Sequence, residues 1–326
     1  MIHDRVIDGL RGRSALVTGG AGFIGSNLVE GLMQAGAEPI VVVDDLSLGR
    51  RENLAGALRT RGVSLVECDC AVLDQLLEIA REPFDLCFNL AVIPLPHSLE
   101  HPRRNVDHNV AMTTAVCELW RAGRLGRLIH YSSSEVYGTA QTAPIAETHP
   151  LHPHTPYAAA KAATDLVAHS YSTTFGMPLV IVRPFNTYGE RQNSGSYAGL
   201  IPAVVGRVLA GLPVQIYGDG LQTRDMIYVR DSVDGTLAAA TCEDALGATV
   251  NLGRGEESSV NEMVRLILEV LGRPDHPVEH VEDRPGDVRR LLADVTLGRR
   301  LFGFEAPTSL RDGLRRTVNW YVRETG

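Results

Sequence analysis

Tyr157 and Lys161 have the residue types and the spacing of a proton-transfer pair. They follow Thr155 and Pro156, and a threonine N-cap with a proline at the first helical position predicts the start of a helix. At positions i and i+4 of that helix the two side chains can meet. A lysine ammonium beside a phenol favours the phenolate and lowers the tyrosine pKa. The spacing therefore predicts acid/base chemistry, although an isolated pair of this kind is more often a surface tyrosine over a lysine stem.

A cluster of hydroxyl residues lies upstream of this pair. Residues 127–131 are predicted to form a strand, and Ser132, Ser133, Ser134 and Glu135 follow it. Serines in a loop usually serve turn hydrogen bonding. At the carboxyl end of a parallel strand, where open α/β sheets bind their ligands, they become candidates for an active site.

Residues 15–28, ALVTGGAGFIGSNL, are typical of a strand, a glycine turn and a helix. Glycine lacks the Cβ that would keep the backbone from a pyrophosphate, and the helix directs free N–H groups and its positive dipole end at the anion. Gly19 would make the tight turn, Gly22 would let the phosphates approach, and Gly25 would let the helix pack on the strand. Ordinary strand-to-helix loops also contain glycines, so the residues beyond the helix decide between the two interpretations.

An acidic residue stands where ribose recognition is expected. Residues 39–43 form a continuous apolar run typical of a buried parallel strand, and the run ends at Asp44. An acidic side chain about 20 residues past the glycines accepts hydrogen bonds from the ribose 2′-OH and repels a 2′-phosphate. The predicted cofactor is therefore NAD rather than NADP, with Arg50 and Arg51 as a solvated loop pair. The positively charged nicotinamide ring of NAD would, together with Lys161, lower the pKa of Tyr157.

Length and composition favour an ordinary globular protein. At 326 residues, 44% hydrophobic and 21% charged, the chain can form one large α/β domain and a smaller one. The formal net charge of −8 gives no indication of nucleic acid or an anionic membrane. Residues 1–13 lack the apolar core of a signal peptide and no run reaches the roughly 20 apolar residues that span a bilayer, so a cytoplasmic location is predicted. The scattered cysteines predict buried free thiols, and no metal site is predicted.

Apolar runs alternate with helical patterns, which predicts a Rossmann-type doubly wound parallel sheet of the α/β class. Further strands are predicted at 63–66, 84–90 and 179–182, with a helix over 109–121. After residue 190 the chain changes to loops and short helices, which predicts a smaller, discontinuous α/β substrate domain, while 227–229 and 249–252 return to the large one. We assign 1–184 and 226–253 to the cofactor domain, and 185–225 and 254–326 to the substrate domain.

Two further sets of residues could contact ligands. Asp69, at the end of the third strand, could bind an adenine amino group or serve equally well as a helix N-cap. Arg224, and Arg284 in a turn with Asp287, could together clamp a diphosphate bidentately. Either arginine alone is more often a member of a surface ion pair.

With the glycine pattern, the serine loop and the Tyr157/Lys161 pair in hand, the chain resembles extended short-chain dehydrogenases/reductases that act on nucleotide sugars as epimerases, dehydratases or decarboxylases. The resemblance runs from residue 16 to about residue 321 and is specific through the combination of motifs. It implies that the substrate is a nucleoside diphosphate sugar, expected to be UDP-linked, and that NAD takes a hydride from C4 of the sugar. The resulting ketone then activates the neighbouring carbons.

The resemblance also implies residue roles. Tyr157 is the acid/base for the C4 hydroxyl, Lys161 holds the nicotinamide ribose, and Ser133 orients the substrate, with Ser134 and Glu135 near the far end of the sugar. The implied cofactor residues are Gly19, Gly22, Phe23, Ile24, Gly25, Asp44, Asp69, Cys70, Leu90, Ala91, Tyr157 and Lys161. The implied substrate residues are Asn186, Leu200, Gln215, Tyr217, Arg224, Arg284 and Asp287. The helices that contain Asn109 and Tyr157 resemble those that pair in a four-helix dimer interface, so a homodimer is expected.

Glu135 bears on the step after oxidation. The run Ser-Ser-Glu-Val-Tyr-Gly resembles UDP-glucuronate decarboxylases and several dehydratases, in which a glutamate would shape the site of carbon dioxide loss or act as a base at C5. The alternative interpretation is that Glu135 is a structural carboxylate, hydrogen-bonded within the loop. Ser134 replaces the aspartate common in glucose-nucleotide dehydratases, whereas Ala158 to Ala160 and the loop 193–199 look less like a decarboxylase and more like an epimerase.

The sequence prediction is therefore decarboxylation of UDP-glucuronate to UDP-xylose or UDP-4-keto-pentose, with 4,6-dehydration and 4-epimerisation as alternatives. A NAD-sensing regulatory protein on the same fold is a further alternative from another class. Such a sensor would be expected to have lost Tyr157 or Lys161, and both are present.

Overall fold

The computed structural model describes residues 4–193, 199–282 and 288–325. Its helices are α1 (Asp4–Leu10), α2 (Phe23–Gln34), α3 (Leu73–Ile79), α4 (Leu95–Glu100), α5 (Pro102–Arg121), α6 (Pro156–Phe175), α7 (Leu200–Leu209), α8 (Val229–Thr241), α9 (Val260–Val270), α10 (Thr296–Phe302) and α11 (Leu310–Thr325). Its strands are β1 (Ala15–Thr18), β2 (Ile40–Asp44), β3 (Val63–Glu67), β4 (Phe84–Asn89), β5 (Leu125–Tyr131), β6 (Leu179–Pro184), β7 (Asn186–Tyr188), β8 (Val214–Tyr217), β9 (Thr223–Tyr228), β10 (Thr249–Leu252), β11 (Glu257–Ser259), β12 (Val278–Val281) and β13 (Arg290–Leu291).

The largest sheet has seven parallel strands in the order β10-β6-β5-β4-β1-β2-β3. The chain starts in the middle at β1, winds outward to β3, and then returns to wind outward the other way from β4. This is the doubly wound α/β arrangement, so the predicted fold class is confirmed. In such a sheet the turns after β1 and β4 meet at the carboxyl edge, where the winding direction changes.

Alternating side chains of the sheet enter two apolar layers. Val17 and Val42 pack in a cluster with residues of α2 and α8 on one face. Leu16 and Val43 pack with residues of α3, α5 and α6 on the other face. Burial on both faces is why the strands of this sheet appear in the sequence as continuous apolar runs.

A smaller substructure forms beside the sheet. Strand β9 pairs with β7, β11 and β13, and β8 pairs with β12. Helices α7, α9 and α11 cover these strands with a third apolar cluster. Residues 249–252 lie in the large sheet as β10, but Ile227 lies in β9 of the smaller one. Ile227 nevertheless packs in the apolar cluster of the large sheet, and α8, which begins at Val229, packs in the same cluster beside α2. The division of the chain into two domains stays a prediction.

The helices and the cysteines were the subject of two further predictions, on membrane spans and on buried thiols. Within the described ranges, every helix is too short or too polar to cross a bilayer. Cys68, Cys70, Cys87 and Cys117 are buried free thiols as predicted, whereas Cys242 is half-buried.

Candidate active site

One cavity of about 680 Å³ opens at the carboxyl edge of the large sheet. It runs from the glycine turn after β1 and Asp44 at the end of β2 to Ser133 after β5 and to Tyr157 and Lys161 on α6. All the residues that the resemblance implied for the cofactor line it: Gly19, Gly22, Phe23, Ile24, Gly25, Asp44, Asp69, Cys70, Leu90, Ala91, Tyr157 and Lys161. The topology thus gathers residues that are far apart in the sequence into one wall.

The glycine turn has no space for side chains at its critical points. Gly19 has a φ of +70°, and a Cβ there would lie 2.7 Å from the backbone N of Ala91. A Cβ on Gly22 would lie 3.2 Å from the Gly19 carbonyl oxygen. The turn therefore brings β1, α2 and the segment after β4 into direct backbone contact, which leaves N–H groups at the start of α2 for an anion.

Asp44 is held in place by backbone donors. Its Oδ2 accepts a hydrogen bond from Ala21 N at 2.9 Å, and its Oδ1 accepts one from Leu46 N at 3.0 Å. The side chain is 7% exposed, and a Cβ added to Gly49 would lie 2.6 Å from Oδ1. A carboxylate so enclosed can accept from ribose hydroxyls through its remaining lone pairs but leaves no room for a phosphate. The residues present therefore fit NAD.

Asp69 lines the cavity next to Cys70. Its Oδ1 accepts a hydrogen bond from Ala71 N at 2.9 Å and lies 3.2 Å from Nε2 of His108. Helix α3 begins at Leu73 with Val72 as its N-cap, so Asp69 closes a turn before the helix and does not cap it. Its side chain therefore bonds the turn and lies beside His108, and contact with an adenine amino group stays a prediction.

Helix α6 begins as the sequence predicted. Thr155 Oγ1 accepts a hydrogen bond from Ala158 N at 3.1 Å, and Pro156 is the first helical residue. Tyr157 and Lys161 both line the cavity, and the Lys161 ammonium, 5% exposed, donates to the Tyr131 carbonyl oxygen at the end of β5. Lys161 is also the only lysine in the chain.

Burial governs the pKa values of both members of this pair in the chain without cofactor. Burial and the negative charge of Glu135 raise the pKa of Tyr157 to about 12, and a hydrogen bond with Ser133 opposes them only in part. Burial lowers the pKa of Lys161 to about 8, against the opposing charge of Asp165. The protein's own groups therefore keep Tyr157 protonated at neutral pH, and the lowering of its pKa by Lys161 together with a positive nicotinamide ring stays a prediction. A positive charge on a ligand would be needed to lower it.

The serine loop turns sharply after β5. Ser133 lines the cavity, and its Oγ accepts a hydrogen bond from Glu135 N at 3.2 Å. The next residues form a 3₁₀ turn, Ser134–Tyr137. Ser134 is 4% exposed, and neither Ser134 nor Glu135 is among the cavity-lining residues, although the charge of Glu135 acts on Tyr157. The loop therefore presents Ser133 to the site and keeps Ser134 in the interior.

The described residues that were predicted to bind the substrate do not line this cavity. Asn186 Nδ2 donates to the Asp225 carbonyl oxygen, and Arg224 Nη1 donates to the Thr223 carbonyl oxygen at 2.8 Å. The predicted residues that are described but lie outside the cavity lining are Asn186, Leu200, Gln215, Tyr217 and Arg224. Arg284 and Asp287 lie outside the residues that the structure describes.

Several lining residues were not predicted. Phe185 and Thr187 follow β6, and the sequence signal for them was the strand end that precedes them. His97, Arg104 and His108 project from α4 and α5. These helices reach the cavity through packing between distant segments, so no local pattern identified their side chains.

Comparison with known proteins identifies the family of this chain. Residues 15–253 match the model of the "NAD dependent epimerase/dehydratase family". A UDP-glucose 4-epimerase of Mycolicibacterium smegmatis is 35% identical over 94% of this chain and 97% of its own length. The crystal structure of a UDP-glucose 4-epimerase from Thermotoga maritima with UDP-glucose superposes with a TM-score of 0.90 at 31% identity, covering 96% of this chain and 100% of that one.

A dTDP-glucose 4,6-dehydratase from Streptomyces venezuelae, solved with NAD bound, gives a TM-score of 0.89 at 33% identity and covers 96% of this chain and 98% of that one. The predicted resemblance to extended short-chain dehydrogenases/reductases is thus confirmed, and NAD is the cofactor. This chain belongs to the NAD dependent epimerase/dehydratase family of nucleotide-sugar enzymes.

Proposed function

We propose that this enzyme oxidises the C4 hydroxyl of a nucleoside diphosphate sugar. The observation that carries the proposal is that Ser133, Tyr157 and Lys161 line the same cavity as the glycine turn and Asp44. A NAD-sensing protein would need the cofactor end of this cavity but none of the three side chains at its other end. Their joint presence favours catalysis over sensing.

NAD, when bound, supplies the hydride acceptor. Tyr157 would hydrogen-bond the C4 hydroxyl and take its proton as the C4 hydrogen leaves. Ser133 would hold the same oxygen and fix its orientation. Lys161, protonated below a pKa of about 8, would bind the nicotinamide ribose and add positive charge near the phenol. Reversal of these transfers would return the proton to the C4 oxygen.

For the step after oxidation, 4-epimerisation of a UDP-sugar has the best support. Epimerisation requires no protein group beyond Ser133, Tyr157 and Lys161. The 4-keto sugar only has to rotate so that its opposite face receives the hydride. Ser134, at the position where dehydratases often carry an aspartate, is buried away from the cavity and so offers no proton to a leaving C6 hydroxyl. The mycobacterial relative is named as a UDP-glucose 4-epimerase.

Decarboxylation of UDP-glucuronate, the sequence prediction, is the second candidate. The observation that favours it is the negative charge of Glu135 close to Tyr157. Oxidation at C4 places the C6 carboxylate β to a ketone, so carbon dioxide can leave to give an enolate without a C5 base. Glu135 would then shape that end of the site, whereas in 4,6-dehydration it would remove the C5 proton.

Mass spectrometry separates these outcomes. The purified enzyme is incubated with NAD and, separately, UDP-glucose, UDP-glucuronate and dTDP-glucose. An inverted C4 centre at unchanged mass identifies an epimerase, and loss of carbon dioxide or water identifies a decarboxylase or a dehydratase. If wild-type enzyme alters none of the sugars and no NADH forms in single-turnover mixtures, the proposed C4 oxidation is wrong for this panel.

We also propose that the enzyme is a homodimer through α5 and α6. These helices pack side by side, and α6 leaves Leu166 63% exposed and Phe175 51% exposed. Covering such side chains with a second copy would remove apolar area from water. Light scattering of wild type and Leu166→Glu tests this, because the variant should be monomeric if the helices form the interface.

A further inference from the structure

Three consecutive residues at the end of β5 are each held by helix α6. Nε2 of His130 lies 3.1 Å from Oγ1 of Thr164, the Tyr131 carbonyl oxygen accepts from Nζ of Lys161, and Ser132 Oγ donates to Oδ2 of Asp165 at 2.8 Å. The strand therefore enters the serine loop already fixed to the helix that carries Tyr157. We call these three contacts the β5–α6 clasp.

Asp165 is the most heavily bonded member of the clasp. Besides Ser132, its Oδ2 accepts from Nε of Arg183 at 3.0 Å and from Nη2 of Arg183 at 2.8 Å. Arg183 Nη1 donates in turn to the Tyr137 hydroxyl at 3.0 Å, at the far end of the serine loop. Asp165 is 3% exposed, so these bonds are shielded from water. Both ends of the loop are thus tied to one carboxylate on α6.

The His130 contact extends the clasp to the cofactor end of the sheet. Ala91 N donates to Thr18 Oγ1, Thr18 donates to Asn89 Oδ1, and Asn89 Nδ2 lies 3.1 Å from Nδ1 of His130. Because Thr164 Oγ1 already donates to the Lys161 carbonyl oxygen, it accepts from His130, whose proton is therefore on Nε2. Burial lowers the pKa of His130, in agreement with a neutral ring.

We propose that Asp165 is a positioning residue of the active site, which keeps Ser133 and Tyr157 at a fixed separation and supplies a negative charge four residues from Lys161 on the same helix. The inference rests on the proposed function, in which Ser133 and Tyr157 hold the same substrate oxygen. A clasp of this kind lowers the barrier by holding reacting groups in place rather than by touching the substrate. Asp165 itself is not among the residues that line the cavity.

The charges around the pair give the proposal a readout with a distinguishing sign, because loosening of the fold would expose Lys161 and raise its pKa, whereas loss of a negative charge would lower it. Asp165 raises the pKa of Lys161 against burial, and Glu135 of the serine loop and Asp165 both raise the pKa of Tyr157. His130 of β5, whose Nε2 lies 3.6 Å from Oδ1 of Asp165, and Arg183 of β6 lower the pKa of Asp165 against burial, and burial lowers the pKa of His130. Removing the negative charge at residue 165 should therefore lower the pKa of Lys161.

Because Lys161 is the only lysine, ¹³C-lysine labelling gives one side-chain signal whose titration reports its pKa without any sugar substrate. In Asp165→Asn the midpoint should fall below that of wild type by at least about one pH unit. Asp165→Glu should restore it, and Asp107→Asn, the same change at an exposed residue of α5, should leave it unaltered. An unchanged midpoint in folded Asp165→Asn would overturn the charge role.

A second variant tests position without disturbing the Asp165–Arg183 pair. Ser132→Ala removes one hydrogen bond of the clasp, and we expect kcat to fall at least about fivefold in a folded variant with unchanged NAD affinity. Wild-type kcat in Ser132→Ala would overturn the positioning role. If wild-type enzyme were inactive on every sugar, the proposed function would fail instead, and the lysine titration would still decide the role of Asp165.

Discussion

Gly25 approaches Gly19 so closely that a Cβ on Gly25 would lie 2.2 Å from the Gly19 carbonyl oxygen. The obstacle is backbone, which cannot rotate away as a side chain could. Helix α2 therefore rests directly on the turn that begins the cofactor site, and the contact sets where its first N–H groups point.

Gly25→Ala should accordingly impair both folding and cofactor binding. We expect a loss of about 1–3 kcal/mol in the free energy of unfolding and weaker NAD binding, because α2 must move off the turn. Gly206→Ala in α7 is the matched control, since nothing lies within 4 Å of its added Cβ, and it should stabilise the protein by about 0.5–1 kcal/mol. Denaturant unfolding and calorimetry measure the two effects. Equal stability and equal NAD affinity of Gly25→Ala and Gly206→Ala would contradict the close contact between Gly25 and Gly19.

Asp44 should make the enzyme discriminate between the two dinucleotides. NAD should bind at least about 100-fold more tightly than NADP, because the enclosed carboxylate excludes a 2′-phosphate. Asp44→Asn should narrow that ratio, whereas Asp45→Asn, at the exposed neighbour, should leave it nearly unchanged. Titration calorimetry with both dinucleotides gives the ratios. If the preference for NAD were lost in Asp45→Asn and kept in Asp44→Asn, Asp45 rather than Asp44 would bind the ribose.

The cofactor end of the site was predictable from the sequence because its residues adjoin strand ends. The run 39–43 is apolar since β2 is buried on both faces, and Asp44 ends it at the sheet edge. Helix α5 was placed too late, from residue 109 instead of Pro102, because its first two turns are polar. Asn105 and Asn109 there are buried and hold the Ile93 carbonyl oxygen, a long-range contact that no local pattern indicates.

The substrate end could be predicted only in part. Its residues belong to short strands and turns outside the large sheet, and short strands have weak periodicity. Ile227, for example, pairs in β9 with β7 but packs in the apolar cluster of the large sheet. The pKa of Tyr157 in the chain without cofactor could not be predicted from the sequence either. Its value depends on burial and on Glu135, and neither can be deduced from the spacing of Tyr157 and Lys161.

Tyr157→Phe should abolish turnover. The variant removes the group that exchanges a proton with the C4 hydroxyl but little contact area, so NAD and UDP affinities should stay close to wild type. Tyr171→Phe is the control, because Tyr171 lies on the same helix but bonds Glu118 on α5, and it should retain activity. Single-turnover NADH formation measures the step directly. More than about a tenth of wild-type kcat in Tyr157→Phe would contradict the assigned role.

Arg224 should contribute to nucleotide binding from the smaller sheet. Arg224→Ala should weaken UDP binding by about 1.5–3 kcal/mol, the range for a hydrogen bond to a charged group, and leave NAD affinity unchanged. Arg284→Ala should behave alike if both arginines clamp the diphosphate. Arg265→Ala removes an exposed ion pair on α9 and should have no effect on UDP. If UDP affinity were unaltered in both Arg224→Ala and Arg284→Ala, other residues would bind the diphosphate.

The buried ammonium of Lys161 should make stability depend on pH with a defined sign. Its pKa is lowered from 10.5 to about 8 in the folded chain, so between these values the unfolded state binds the additional proton. Stability from this group therefore rises with pH, by about 1.4 kcal/mol per unit, between about pH 8 and pH 9.5, before the tyrosines ionise. Lys161→Met lacks the titrating group, so the difference in unfolding free energy between wild type and variant should change with this slope. A difference that is flat over the window would show that Lys161 keeps its ordinary pKa in the folded protein.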